Sequence, residues 1–145
     1  MNLLHVIFKV AGSEYVLPAS DVLQMESFSG ATKVPGTPPH VTGLVQVRGK
    51  VVPVVDLRSR FGLPPIEHGI DSRVVVVQAS SRTVGLLVDS AREVLNIPAA
   101  DFRPPPEVIA EQGRGFIKAV AQAGKRLVML IDFEKVIGEE RIHGE

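Results

Sequence analysis

Residues Thr42 to Gly62 read TGLVQVRGKVVPVVDLRSRFG, and this stretch decides the fold. Val45, Val47, Val51, Val52, Val54 and Val55 are β-branched, and Arg48-Gly49 breaks the run where glycine supplies a tight turn. That pattern predicts a β-hairpin whose second strand ends in Asp56-Leu57-Arg58. Nothing in it has the spacing of a catalytic site, so the chain reads as one built to present surfaces.

Working outward, short apolar segments alternate with Gly and Pro. Strands are expected at Leu4 to Val10, Glu14 to Leu17, Val22 to Ser27, Arg73 to Gln78, Thr83 to Asp89, Arg92 to Ile97, Phe116 to Ala121 and Arg126 to Ile131. Pro18 to Asp21 and Leu57 to Phe61 suit single helical turns. Asp132 suits the N-cap of a closing helix, Phe133 to Ile137, which Gly138 stops. Pro104-Pro105-Pro106 opens a segment expected to run as a mobile loop through Gly115.

Two strands break the alternation expected of a sheet with one wet face. Val74-Val75-Val76-Val77 and Leu127-Val128-Met129-Leu130-Ile131 are apolar on both faces, so both faces must be covered. Pro53 suits an edge or a barrel corner better than a central ladder position. The expectation is an all-β chain: two small barrels packed together, with a short C-terminal helix. Val55-Asp56, Val88-Asp89 and Ile131-Asp132 each close an apolar strand with aspartate. These read as strand-end or helix-cap residues, or as the mark of a duplicated barrel.

Composition narrows the functional classes. The 145 residues suffice for one domain over 1–145, and 45% of them are apolar. Sixteen basic residues balance sixteen acidic ones, which gives no electrostatic reason to bind nucleic acid or an anionic membrane. There is no cysteine. The N-terminus lacks a signal-peptide pattern and no apolar run is long enough to cross a bilayer, so a cytoplasmic location is expected. His5, His40, His68 and His143 lack ligand-like pairing, and neither a metal nor a cofactor is expected.

Two rival chemistries can be written on the sequence. Gly85-Leu86-Leu87-Val88-Asp89-Ser90-Ala91 is near the Asp-Ser/Thr-Gly turn of aspartic proteases, but Ala91 replaces the glycine and no second copy exists. Gly113-Arg114-Gly115 is a weak candidate for RNA contact, without a stacking platform of aromatic residues beside it.

Gly43-Leu44-Val45-Gln46-Val47-Arg48-Gly49-Lys50-Val51-Val52-Pro53-Val54-Val55-Asp56-Leu57-Arg58 resembles the signature of the CheW family. Thr37-Pro38, Val84 to Asp89, Val94-Leu95, Arg103-Pro104-Pro105 and Leu130 to Ile137 extend the resemblance over nearly the whole chain. It implies two five-stranded SH3-like barrels around a shared hydrophobic core, and an adaptor without activity of its own. The implied partners are the cytoplasmic tip of chemoreceptors and the regulatory domain of the histidine kinase CheA, with the membrane reached only through receptors. By position, the receptor-binding residues it implies are Val22, Gln24, Gly43, Arg48, Val75, Gly85 and Val94. Among these, Arg48 has either a turn-holding or a contact role, Gly43 and Gly85 allow close backbone approach, and the valines suit core or contact alike. Family members often carry Glu where this chain has Gln24, Asn at Gln46 and Gly at Ala119. These departures leave open an adaptor of a non-flagellar pathway such as surface motility.

Overall fold

The computed structural model describes residues 3–79, 81–112 and 115–138. Eleven strands follow in chain order: β1 (Leu4–Val10), β2 (Ser13–Pro18), β3 (Val22–Ser27), β4 (Val41–Val47), β5 (Lys50–Asp56), β6 (Arg73–Ala79), β7 (Arg82–Val88), β8 (Ser90–Asn96), β9 (Phe102–Arg103), β10 (Ile117–Ala123) and β11 (Arg126–Ile131). Three short helices, α1 (Leu57–Arg60), α2 (Glu107–Gln112) and α3 (Phe133–Ile137), join them. The strands form a six-stranded sheet, β8-β1-β2-β11-β10-β9, and a five-stranded sheet, β3-β6-β7-β5-β4. The all-β expectation holds, with the two-residue β9 added to one sheet. Among the described residues no ladder joins the outer strands of either sheet into a ring.

The hairpin read from the sequence is β4–β5, closed by the Val47/Lys50 pair. Arg48 (φ 49°) and Gly49 (φ 83°) both occupy the left-handed region, as a two-residue turn matching strand twist requires. A non-glycine residue there costs roughly 1 kcal/mol.

Pro53 departs from expectation: β5 is an interior strand. Leu44, opposite Pro53, exchanges both its backbone hydrogen bonds with Thr32 on the far side (2.8 and 2.9 Å), so this pair needs no N–H from proline. On the other side the ladder to β7 starts at Val54, one residue later. The missing donor therefore falls where neither neighbour asks for it.

Double-sided burial follows the parity of the strands. Val75 and Val77 join Phe8, Leu17, Leu86 and Ile131 in a core shared by the two sheets. Val74 and Val76 face the other way, into a second cluster with Val52, Val54 and Leu87. Ile7, Val16 and Val128 build the matching third cluster on the six-stranded sheet. One residue of the predicted two-faced runs escapes: Leu127 sits beside the β10–β11 turn, past the end of the covering layer, and is 63% exposed. The segment expected as loop after Pro104-Pro105-Pro106 contains α2, whose first turn is closed by Ile109 N–H donating to Pro106 C=O at 2.9 Å. Proline at a helix start loses no intrahelical bond.

The chain order hides a repeat. Each half supplies a hairpin (β1–β2; β6–β7), then a strand that crosses to the other sheet (β3; β8), then a second hairpin running into a helix (β4–β5–α1; β10–β11–α3). Within a half, the hairpins do not pair with one another. Of the five ladders outside the hairpins, four (β3–β6, β5–β7, β1–β8 and β2–β11) join one half to the other, and the fifth, β9–β10, stays within the second half. Asp56 and Asp132 are equivalent in this repeat and cap α1 and α3, accepting from Arg58 N–H at 2.9 Å and Lys135 N–H at 3.3 Å. Asp89 caps neither of these helices.

Gly43 and Gly85 are fixed by packing. A Cβ on Gly43 (φ 147°) would lie 2.3 Å from Thr32 O, and one on Gly85 would lie 2.5 Å from Val74 Cγ1. Gly85→Ala is expected to cost about 1–3 kcal/mol by overpacking. The double variant with Val74→Ala should be roughly 1 kcal/mol more stable in urea unfolding than the sum of the two single losses. Strict additivity of the two substitutions would contradict this packing.

Candidate functional site

The residues implied by the resemblance fall into distinct environments. Gln24, Val76, Gly85, Val54 and Gly43 lie in one cross-strand row, because each is in register with the next from β3 to β4. Gln24, Gly85 and Gly43 thus share a face of the five-stranded sheet. Gly43, Gly85 and Val75 are buried in the sheet. Val22 is half-buried against the shared core, and Gln24, also half-buried, donates to Glu26 at 2.8 Å. Val94 and Arg48 are exposed. Among the described residues none accepts a hydrogen bond from the Arg48 side chain.

The surface contains apolar residues that the resemblance did not supply. Leu23 and Met25 project from β3 on the side away from Gln24, and both are exposed. With Val94 on β8 they put uncovered aliphatic side chains on both crossing strands, which are the outer strands of their sheets. The sequence carried part of this signal in Leu23 and Met25, apolar residues flanking Gln24; the register shift between Val22 and Gln24 leaves Val22 and Met25 on one side of the strand, paired with Val77 and Val75.

A second set sits at the tips of the equivalent hairpins. Val51 (61% exposed) pairs with Gln46, and Leu127 (63% exposed) pairs with Gln122. Each aliphatic–glutamine pair lies one step in from the pair that closes its turn. Beside the first runs a cleft of about 430 Å³ between residues 26–32 and Leu44 to Val47. The second borders a cleft of about 480 Å³ lined by Asp101, Arg103, Val120 and Gln122.

Ion pairs hold these surfaces in place. Arg58, at the start of α1, donates from Nε and Nη2 to both carboxylate oxygens of Asp89 at 2.9 and 2.7 Å. The same carboxylate accepts from Ala11 N–H at 2.8 Å, so one residue ties β7, the β1–β2 turn and α1 together. Burial pushes the Asp89 carboxyl up, but the Arg58 and Ala11 hydrogen bonds outweigh it and hold it below the usual carboxylate range. An aspartic-protease dyad needs two carboxylates sharing a proton; Asp89 instead faces a guanidinium. Arg126 forks onto Glu14 and Glu93, binding β11 to β2 and β8. These hydrogen bonds lower both glutamates and raise Arg126.

His5 lies buried beside Phe102, and His68 pairs with Ser72 at 3.1 Å. No three His, Asp or Glu side chains converge on a metal-sized site among the described residues. Gly113 and Arg114, of the Gly-Arg-Gly segment, lie outside the described residues.

A family model for the CheW-like domain matches residues 4–141. The chain belongs to the CheW family. A chemotaxis protein CheW of Bacillus subtilis (strain 168) is 30% identical over 135 residues, covering 93% of this chain and 86% of its own. Protein FrzA of Myxococcus xanthus is 28% identical, covering 92% of this chain and 84% of its own. The crystal structure of the scaffolding protein TtCheW from Thermoanaerobacter tengcongensis superposes with a TM-score of 0.83 at 31% identity, covering 91% of this chain and 90% of that one. The CheW-like assignment thus rests on fold and sequence together, and the chain is a scaffold of the chemotaxis type.

The Arg58–Asp89 clamp gives a pH test. Asp89→Asn is expected to lose about 2–4 kcal/mol at pH 7, since it leaves Arg58 without its counter-charge. A carboxyl lowered in the folded state stabilises above its unfolded value near 4, and that contribution disappears as pH falls through the lower folded value. The gap between the two proteins' melting temperatures should therefore be wide at pH 7 and close in strong acid. A gap independent of pH would contradict the clamp.

Proposed function

We propose that the chain is a passive adaptor that couples chemoreceptors to the histidine kinase CheA, with separate surfaces for each. The observation that carries this reading is the segregation of uncovered aliphatic side chains. One set lies on the crossing strands and another at the hairpin tips, in a fold matched to scaffolding proteins along nearly its whole length.

Leu23, Met25 and Val94 form the receptor-facing set in this reading. An edge strand bearing apolar side chains gives a helical hairpin a surface to lie along, with the affinity concentrated in a few anchors. Gln46 and Val51 on one tip, and Gln122 and Leu127 on the other, form the kinase-facing set, and Arg48, which the resemblance placed with the receptor contacts, is assigned to this set by its position at the first tip. The equivalence of the tips suits a regulatory domain built from similar sheets. Each contact is expected to bury on the order of 1,000–1,600 Å², modest alone and strengthened by multivalency in an array.

Arg48 supports a contact role through its backbone. The left-handed turn position would be occupied at lower cost by Asn or Gly, yet it carries an exposed Arg. Its planar fork suits carbonyl or carboxylate groups on a partner.

The reading is tested by separating the two sets. Leu23→Asp with Met25→Asp should weaken co-sedimentation with receptor tips by roughly 10–100-fold and leave kinase binding within about twofold. Arg48→Asn with Val51→Asp should do the reverse, and Arg48→Asn alone should leave the melting temperature unchanged or raised. Loss of neither partner in either variant, or of both in each, would overturn the assignment.

A further inference from the structure

We propose that the seam between the outer strands β3 and β4 binds an extended segment of a partner protein, taken up as an added strand and carrying one Lys or Arg. The chain itself begins such a strand. Thr32 exchanges two backbone hydrogen bonds with Leu44, at 2.8 and 2.9 Å, in an antiparallel bridge. Gly43, without a Cβ, lets the Thr32 carbonyl come this close. The bridge then stops. Gly30 stands at φ 112°, and residues 28–30 leave β4 instead of following it. In the second half the equivalent ladder goes on, because β9 pairs with both Val120 and Ala121, one step nearer the turn.

The next bonding position on β4 is thereby left open. Bonded and non-bonded pairs alternate along an antiparallel ladder, so Leu44 and Gln46 both turn N–H and C=O away from β5. Thr32 satisfies Leu44. Among the described residues nothing bonds the backbone of Gln46 on that side. Its free donor and acceptor border the cleft of about 430 Å³ between residues 26–32 and β4. A strand edge in this condition is a template for main-chain pairing with an extended segment.

The walls of the cleft set the side chains it accepts. A residue bonded to Gln46 points outward with the Gln46 side chain, and its two neighbours point inward, as Val45 and Val47 do. Inside, Phe28, Val45 and Val74 offer apolar contact to one neighbour. Glu26, half-buried opposite Val74, offers a carboxylate to the other. That carboxylate accepts from Gln24 at 2.8 Å, and among the described residues no Lys, Arg or His pairs with it. A cation on the incoming segment would supply the missing charge-assisted hydrogen bond. The site uses the backbone of Gln46 and the inner side of the sheet, so it stands whichever partner meets the exposed tip.

The probe is the blocked pentapeptide Thr-Val-Thr-Lys-Thr, titrated into the full chain while the Gln46 amide is followed by NMR. A saturable downfield shift of that amide is expected as its N–H gains a carbonyl acceptor. Methylating the backbone nitrogen of the central threonine should abolish the shift, since it removes the donor to Gln46 C=O. Glu26→Gln should weaken binding roughly tenfold and leave the melting temperature unchanged. Binding that survives N-methylation, or that Glu26→Gln leaves intact, would overturn the proposal. So would the lack of a saturable Gln46 shift at millimolar peptide. A Gln46 shift that follows protein concentration without peptide would make a second copy the occupant, and would overturn the partner assigned here.

Discussion

The structure depends on a topological constraint: neither half of the chain can complete a sheet from its own strands. Each half provides two hairpins that do not pair with one another, and a lone strand that leaves for the other sheet. An isolated hairpin is marginal in water, so every hairpin here leans on a ladder to the opposite half, and β10–β11 leans on β9 as well. The shared core then follows, since the two sheets are joined by crossing strands and must pack face to face. Side-chain clamps are placed on the same seam: Asp89 reaches both sheets, and Arg60 and Arg82 donate to the carbonyls of Val136 and Gly138 at the end of α3.

This arrangement suits an adaptor. A frame tied across its middle keeps its outer strands and hairpin tips in a fixed relation, so surfaces on them can meet two partners at set positions. The tips also show why the turn chemistry matters. Two left-handed residues bring Gln46 and Val51 opposite each other at the end of a stiff ribbon. Arg58–Asp89 is largely buried, and Arg126 is spent on Glu14 and Glu93.

Much of the fold was legible in the residues. The β4–β5 hairpin could be read from Arg48-Gly49 between valine runs, and the closing helix from Asp132 and Gly138. The two-faced burial of Val74 to Val77 pointed to the layered core, because alternate valines of one strand face different clusters. Pro53 misled because a single-strand reading cannot say which side of a residue is hydrogen-bonded, and here that side belongs to Thr32 and Leu44. The α2 helix was missed because its proline run reads as loop until the residues after it are seen to close a turn. For the candidate surface, positional resemblance reached buried members of the sheet (Gly43, Val75, Gly85) as readily as exposed ones. Leu23 and Met25 left a trace in the sequence of β3, whereas Val51 and Leu127 are visible only once the covering layers are in place. The crossing of β3 and β8 had no local signal, since pairing partners distant in sequence leave none.

Hydrogen exchange of the native protein tests the central constraint most directly. If each sheet is completed only by the opposite half, the slowest amides of β2, β5, β7 and β11 should share one opening free energy and one dependence on denaturant, equal to those of global unfolding. Two separate openings, with one sheet exchanging while the other stays protected, would contradict it.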